Sequence, residues 1–138
     1  MKIALASPPF PKSIANGLAW VEKMIKEAAG KKAEIVCFPE SYIPGLRGMG
    51  FEVEPHSPEK LEAALQKVCA IAKENAIAVI LPMDWDHPDG VLNVAYVISA
   101  TGEILGRQTK NQLAQPTEDG LFIPGNEKRL FERNGIKV

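Results

Sequence analysis

The order of apolar patterns along the chain limits the folds that it can adopt. Residues 2–6 and 34–38 are short, continuous apolar runs, which are typical of buried strands. A segment with apolar residues at helical spacing follows each run after a loop. The first covers residues 14–30, and the second begins after Ser57 with Pro58 at the first helical position. This order predicts two β-α units of an α/β domain.

The rest of the chain has the pattern of antiparallel strands. A third apolar run at residues 75–83 is followed by the β-rich segments VLNVAYVIS and ILGRQTK, and the turn signals WDHPDG and ATGE precede them. Residues 111–126 have the composition of a loop, and KRLFERNGIKV predicts a strand, an Asn134-Gly135 turn and a strand that has barely begun. We therefore expect a single, partial domain over residues 1–138, built on a mixed sheet with helices on one side.

Composition and charge make several classes of function poor candidates. The chain has 138 residues, of which 46% are hydrophobic, so it can bury a compact core. Its formal net charge of -1 gives no field that attracts nucleic acid or an anionic membrane. The apolar runs are too short for a signal peptide or a membrane span, and we expect a cytoplasmic protein. Cys37 and Cys69 lack the spacing of a disulfide framework or a zinc site.

Glu40 and Lys110 are the candidate catalytic residues. Glu40 comes directly after an apolar strand and Pro39, and a charge in that position costs free energy unless something pairs with it. Lys110 ends another predicted strand, and strand ends that lead into loops are where α/β proteins gather functional groups. Spacing alone leaves open whether the two side chains meet or lie apart on the surface.

Other polar clusters give weaker signals. Asp84, Asp86, His87 and Asp89 could bind a hard cation, but acids also collect in turns for local hydrogen bonding, and we predict no metal site. Neither His56 nor His87 stands in an arrangement with a serine and an acid that argues for a catalytic triad. The glycines of PGLRGMG are not a phosphate-binding motif, because no helix starts directly after them.

Three segments resemble successive signatures of the nitrilase superfamily, the carbon-nitrogen hydrolases: VCFPESYIPG, VLNVAYVISATGEILGRQTKNQL and PTEDGLFIPG. The resemblance implies the N-terminal half of an α-β-β-α sandwich. It also implies hydrolysis of a small nonpeptide amide or nitrile through a Glu-Lys-Cys triad, with no metal or organic cofactor. By position, Glu40 resembles the general base, Lys110 the oxyanion-stabilising lysine and Glu118 a second, substrate-positioning glutamate. Asn93 matches a family asparagine, for which a purely structural role is the alternative.

The resemblance places the nucleophile outside the chain. In the family, the catalytic cysteine follows the strand that here begins GIKV, so its position falls a few residues past the last one. Cys37 is a poor substitute, because strand alternation groups Val36, Phe38 and Glu40 on one face and predicts core packing for Cys37 on the other. Cys69 is expected to be a buried structural thiol. We therefore expect the chain alone to be inactive.

Departures from the family leave the substrate subclass open. Gln108 and Thr109 replace an aromatic-arginine pair before the lysine, and Gln112 replaces a histidine after it. Two further hypotheses remain: a noncatalytic, truncated fragment or binding module, and an unrelated small-molecule-binding α/β domain in which Glu40 and Lys110 never converge. The resemblance also implies a homodimer or higher homo-oligomer, because family members bury a helical face against a partner subunit. Neither nucleic acid nor a membrane is expected as a partner.

Overall fold

The structure, a computed structural model, describes residues 1–133 and 136–137. A five-stranded sheet of order β1-β2-β3-β4-β5 packs with two helices. The elements are β1 (Ile3–Leu5), α1 (Ile14–Gly30), β2 (Ile35–Cys37), α2 (Pro58–Glu74), β3 (Ala78–His87), β4 (Gly90–Ile98), β5 (Ile104–Thr109), β6 (Glu132–Arg133) and β7 (Ile136–Lys137). Strands β6 and β7 pair with each other in antiparallel orientation, and the predicted turn at Asn134-Gly135 lies outside the described residues.

The sheet changes from parallel to antiparallel at β3. Strands β1, β2 and β3 are parallel neighbours, and α1 and α2 form the connections between them. Strands β3, β4 and β5 pair in antiparallel orientation through short connections. The predicted α/β class and mixed sheet are therefore confirmed.

The two helices begin at the residues that the sequence predicts. The Ser13 side chain accepts a hydrogen bond from the backbone N–H of Asn16, which caps α1. Ser57 caps α2 by accepting from the N–H of Lys60, and Pro58 occupies the first turn, where a missing N–H leaves no hydrogen bond unmade.

Strand β3 is longer than predicted, and the prediction of a turn throughout WDHPDG is wrong. The strand continues to His87, so only Pro88 and Asp89 connect β3 to β4. Trp85 contributes to this extension, because its ring packs edge-on against Tyr96 of β4 with a centroid distance of 5.2 Å. Such cross-strand aromatic pairs stabilise a ladder that local turn propensity would end.

The core lies between the helices and one face of the sheet. It includes the fully buried residues Val21, Ile25, Leu61, Leu65, Val68, Val79, Leu81 and Met83. The opposite face is more open: Leu5 is 83% exposed, and Cys37 is half-buried between Leu5 and Ile80 of the neighbouring strands. The prediction that Cys37 packs in the core is therefore wrong. Neither helix of the described residues has the length and hydropathy to span a bilayer.

Candidate active site

Glu40 lies where the chain leaves the sheet and turns. Strand β2 ends at Cys37, and Ser41 adopts the left-handed conformation with φ +44. Tyr42 then returns to the core, and its N–H donates to the carbonyl of Pro82. The side chain of Glu40 remains 45% exposed. This sharp turn presents the carboxylate at the edge of the fold.

Glu40 borders an open cleft of about 380 Å³ on the face that the helices leave uncovered. It shares this cleft with Pro82 and Ala95, which are partners across β3 and β4 and alternate with core residues along their strands. The prediction that Glu40 shares a face with Val36 and Phe38 therefore fails, because β2 ends before Glu40 and strand alternation no longer applies to it.

Lys110 joins Glu40 in the cleft, as predicted. It directly follows β5, and its backbone N–H donates to the carbonyl of Asn93. Its ammonium lies 2.7 Å from Oε1 of Glu40 and 2.8 Å from Oε1 of Glu118. One cation thus contacts two carboxylates, and the hypothesis that Glu40 and Lys110 never converge is wrong.

Glu118 is the more buried carboxylate of this cluster, with a side chain that is 9% exposed. Its Oε2 accepts a 2.6 Å hydrogen bond from the N–H of Ala114, so both of its oxygens have protein partners. Desolvation favours the neutral acid, but the hydrogen bonds from Lys110 and Ala114 outweigh it and lower the pKa of Glu118. Desolvation likewise opposes the charge on Lys110, and the hydrogen bonds to Glu118 and Glu40 raise the pKa of that lysine.

Asn93 holds Glu40 from the other side. Its buried side chain donates from Nδ2 to Oε1 of Glu40 at 2.7 Å. Oε1 therefore accepts from both Asn93 and Lys110. Within the part of the chain whose side chains the structure describes, residues 1–132, Oε2 of Glu40 has no hydrogen-bond partner. The geometry leaves one carboxylate oxygen available in the cleft.

Gln108 and Thr109, the two residues before Lys110, bind the segment that follows the loop of residues 111–126. Oε1 of Gln108 accepts from the N–H of Arg129, and Oγ1 of Thr109 accepts from the N–H of Glu127. Gly125 approaches Thr109 so closely that an added Cβ would overlap the threonine side chain. These substitutions relative to the family pattern therefore have a structural role in this chain.

A second charged network, which the sequence reasoning missed, lies beside the Glu40 turn. Asp84 is fully buried and accepts from Nε of Arg47 at 2.8 Å, while Nη2 of Arg47 lies 2.7 Å from Nδ1 of His56. Because arginine can only donate, Nδ1 accepts, and Nε2 of His56 donates to Asp86. Burial raises the pKa of Asp84, and the bond to Arg47 partly offsets this rise. The sequence signal for this network was Asp84 itself, an acid that directly follows the apolar run of residues 75–83.

The acids considered for a cation thus have protein partners. Asp84 and Asp86 belong to the Arg47 network, and His87 accepts from the N–H of Asp89. Within the described part of the chain, no group of three or more potential ligand side chains could hold a metal ion. Neither Cys37 nor Cys69 borders the cleft.

Comparison with solved structures shows the same fold in amidases. An amidase from Nesterenkonia sp. is 23% identical over 99% of this chain and 53% of its own, with a TM-score of 0.85. The NitN amidase from Neterenkonia sp. AN1 is also 23% identical, over 99% of this chain and 55% of its own, with a TM-score of 0.82. A mutant of the Nesterenkonia sp. AN1 amidase in complex with butyramide gives 23% identity, 99% and 53% coverage, and a TM-score of 0.83.

The chain spans about half the length of the amidases that it matches. No curated protein sequence matches it. The family model for carbon-nitrogen hydrolases matches residues 2–138, almost the whole sequence. The resemblance of the three signatures is thereby confirmed, and this chain belongs to the carbon-nitrogen hydrolase family.

Proposed function

We propose that Glu40 and Lys110 are the general base and the oxyanion-stabilising lysine of a hydrolase that cleaves a small nonpeptide amide or nitrile. The observation that carries this proposal is the Lys110 ammonium held between Glu40 and Glu118 at an open cleft. The amidase neighbours support the substrate class, since one is in complex with butyramide and another carries acrylamide added at its active site cysteine.

Glu40 suits the role of proton acceptor. Asn93 and Lys110 fix one carboxylate oxygen, so the free Oε2 has a defined position in the cleft. A thiol attacks a carbonyl or nitrile carbon as thiolate, and a carboxylate in reach of the S–H can take its proton. On an amide, the same proton then goes to the nitrogen of the tetrahedral intermediate. The C–N bond breaks, ammonia leaves and a thioester remains. Water activated by Glu40 hydrolyses the thioester and releases the acid and the thiol.

Lys110 suits the stabilisation of the tetrahedral intermediate. An ammonium has three N–H donors, and two of them point to Glu40 and Glu118. The third is available for the oxygen that becomes negative when the thiolate attacks the carbonyl. A fixed donor of this kind contributes about 3–4 kcal/mol to lowering the barrier. Glu118 positions the substrate indirectly in this proposal, since both of its oxygens are occupied and it acts by holding Lys110.

The nucleophile in this proposal is a cysteine outside residues 1–138. Cys37 is half-buried between neighbouring strands, Cys69 is buried on α2, and neither borders the cleft. The same observation favours a second candidate function for the 138-residue chain taken alone: a noncatalytic module that binds amides. The two candidates differ in whether a thiol ever enters the cleft.

Ammonia release from small amides and nitriles tests the proposal in two arms. The purified 138-residue chain should release no ammonia. The product of the coding sequence read in frame beyond Val138 should contain a strand followed by a cysteine and should be active. In that product, Glu40→Gln and Lys110→Met should each lower kcat by about a hundredfold or more. The exposed Lys128 provides the matched control, and Lys128→Met should leave kcat unchanged.

Two results would overturn the proposal. Activity of the 138-residue chain that Cys37→Ala abolishes would place the nucleophile inside the chain. A reading frame that encodes no further cysteine would leave the amide-binding module as the function.

A further inference from the structure

A second, largely apolar cavity of about 300 Å³ also borders Glu40. Its walls include Phe10, Leu46, Met49 and Phe51, and prolines of the loops after β1 and β2 complete them. The rings of Phe10 and Phe51 stack with a centroid distance of 4.5 Å. Met49 and Phe51 are nevertheless 60% and 59% exposed, which leaves large apolar side chains facing an open cavity.

Glu40 borders both this cavity and the polar cleft. A molecule whose reacting carbon lies beside Glu40 and Lys110 can therefore extend its remaining atoms into the apolar cavity. Contact with apolar walls on one side and with a few convergent polar groups on the other is the usual composition of a small-molecule site. The two cavities together have that composition.

The charges around the cavity disfavour an acidic substituent. Among the described residues that line it, Glu40 alone is charged, and it is an acid. Tyr42 also borders it, but its hydroxyl already donates to the carbonyl of Pro9, and burial raises the pKa of Tyr42 to about 12. The nearby cation Arg47 is held by Asp84 and His56. A ligand carboxylate would find no cation among the lining residues.

The size of the cavity limits the substituent. At about 30 Å³ for each water-sized group, 300 Å³ holds at most roughly ten non-hydrogen atoms, and fewer where the cavity opens to solvent. An unbranched chain of four to five carbons or a phenyl ring fits this space.

We propose that this cavity binds the acyl substituent of the substrate, and that the substrates are amides or nitriles of uncharged, apolar acids of about six carbons. The inference rests on the proposed function for the position of the amide group. What the inference adds is a preference for an apolar substituent, which Phe51 and the other apolar side chains of the cavity determine. Each methylene that enters the cavity should strengthen binding about fourfold until the cavity is full.

Titration of the isotope-labelled 138-residue chain, followed by NMR, tests this preference. The probes are acetamide, butyramide, hexanamide and glutaramate, whose length is close to that of hexanamide but which ends in a carboxylate. We expect hexanamide to bind at least tenfold more tightly than acetamide and at least tenfold more tightly than glutaramate. Phe51→Ala should reduce the gain from acetamide to hexanamide to less than threefold without changing the affinity for acetamide.

Two variants separate this inference from the proposed function. Leu130 is an exposed apolar residue that does not border the cavity, and Leu130→Ala should change none of the affinities. Lys110→Met should weaken the binding of every amide by a similar factor and preserve the gain per methylene. If Lys110→Met left the affinity for every amide unchanged while the chain-length gain stayed intact, the result would count against the proposed function alone. Equal affinities for acetamide and hexanamide, or a chain-length gain that Phe51→Ala leaves intact, would overturn the inference.

Discussion

The Lys110 ammonium balances two carboxylates whose surroundings differ. Glu118 is almost fully enclosed, whereas nearly half of the Glu40 side chain meets solvent. A salt bridge at the surface contributes little to stability, but removal of the partner of an enclosed charge is costly. Lys110 therefore stabilises the fold mainly through its bond to Glu118, the buried member of the cluster.

Lys110→Met should consequently destabilise the fold in a way that depends on pH. We expect the free energy of unfolding at pH 7 to fall by about 1–3 kcal/mol, because Glu118 keeps its charge and loses its cation. The lowered pKa of Glu118 gives wild-type stability that is complete above the ordinary glutamate value of 4.5 and is lost as pH falls through the folded-state pKa. The difference in unfolding free energy between Lys110→Met and wild type should therefore decrease below about pH 4.5. Urea denaturation at pH 7, 5 and 3.5 measures it.

Lys128→Met is the matched control, since Lys128 is exposed, and it should leave the unfolding free energy within about 0.5 kcal/mol of wild type. A difference between Lys110→Met and wild type that stayed constant from pH 7 to 3.5 would contradict the assignment of the effect to Glu118.

At the scale of elements, hydrogen bonds between charged side chains attach the loop between β2 and α2 to the sheet. Arg47 in this loop binds Asp84 of β3 and also contacts His56, which in turn contacts Asp86. The backbone adds to the attachment, because the N–H of Asp84 donates to the carbonyl of Ile43. This attachment fixes the loop that begins with Glu40, so the position of the candidate base depends on a network outside the cleft.

Arg47→Met should destabilise the chain by about 3–5 kcal/mol at pH 7, because it leaves the buried Asp84 charge without a partner. Burial already raises the pKa of Asp84, and loss of Arg47 should raise it further. When the folded-state pKa of an acid is raised, the charged acid destabilises the fold. This destabilisation is complete above the folded-state pKa and absent below the ordinary pKa of 3.8. The destabilisation should therefore decrease as pH falls from 7 to 4, as measured by denaturant unfolding.

The double variant Arg47→Met/Asp84→Asn provides the control for this effect. Without the buried charge, it should recover at least half of the lost unfolding free energy at pH 7. Equal instability of the single and double variants would mean that Arg47 acts through packing and not through Asp84.

The elements could be predicted from sequence where one local signal dominates, and less well where distant residues decide. Ser57 and Pro58 determine the start of α2 within a few residues, so that prediction is confirmed. The extension of β3 depends on Trp85 meeting Tyr96 across the sheet, which local turn propensity cannot indicate. Strand alternation likewise could not place Glu40, because the end of β2 and the left-handed Ser41 together determine its direction.

At the scale of the whole molecule, one sheet face lacks the cover that the helices give to the other. Leu5 is 83% exposed and Ile3 is 50% exposed, while Cys37 and Ile80 beside them are half-buried. Exposed apolar residues on adjacent strands favour association. We propose that the chain forms a homo-oligomer, and this face offers a contact in addition to the helical face that the family resemblance implies.

Leu5→Lys should weaken self-association at least tenfold, because it places a charge among the exposed apolar residues of this sheet face, on the edge strand β1. Sedimentation velocity over a range of protein concentrations measures the association constant. Met49→Lys is a matched change at an exposed apolar residue of the loop between β2 and α2, and it should have little effect. A stable monomer of the wild-type chain at high concentration would contradict the proposed oligomer.

The change from parallel to antiparallel pairing at β3 also predicts the order in which the parts of the sheet form. The β3-β4-β5 meander closes short loops, whereas the parallel strands β1 and β2 join only after long crossovers, whose closure costs more entropy. Asn93 lies on β4 and Lys110 directly after β5, so both belong to the meander with short loops. Glu40 follows β2, which joins the sheet through a long crossover. We therefore expect the carboxylate and the ammonium to meet late, so that a chain with only its hairpins formed has half of the site.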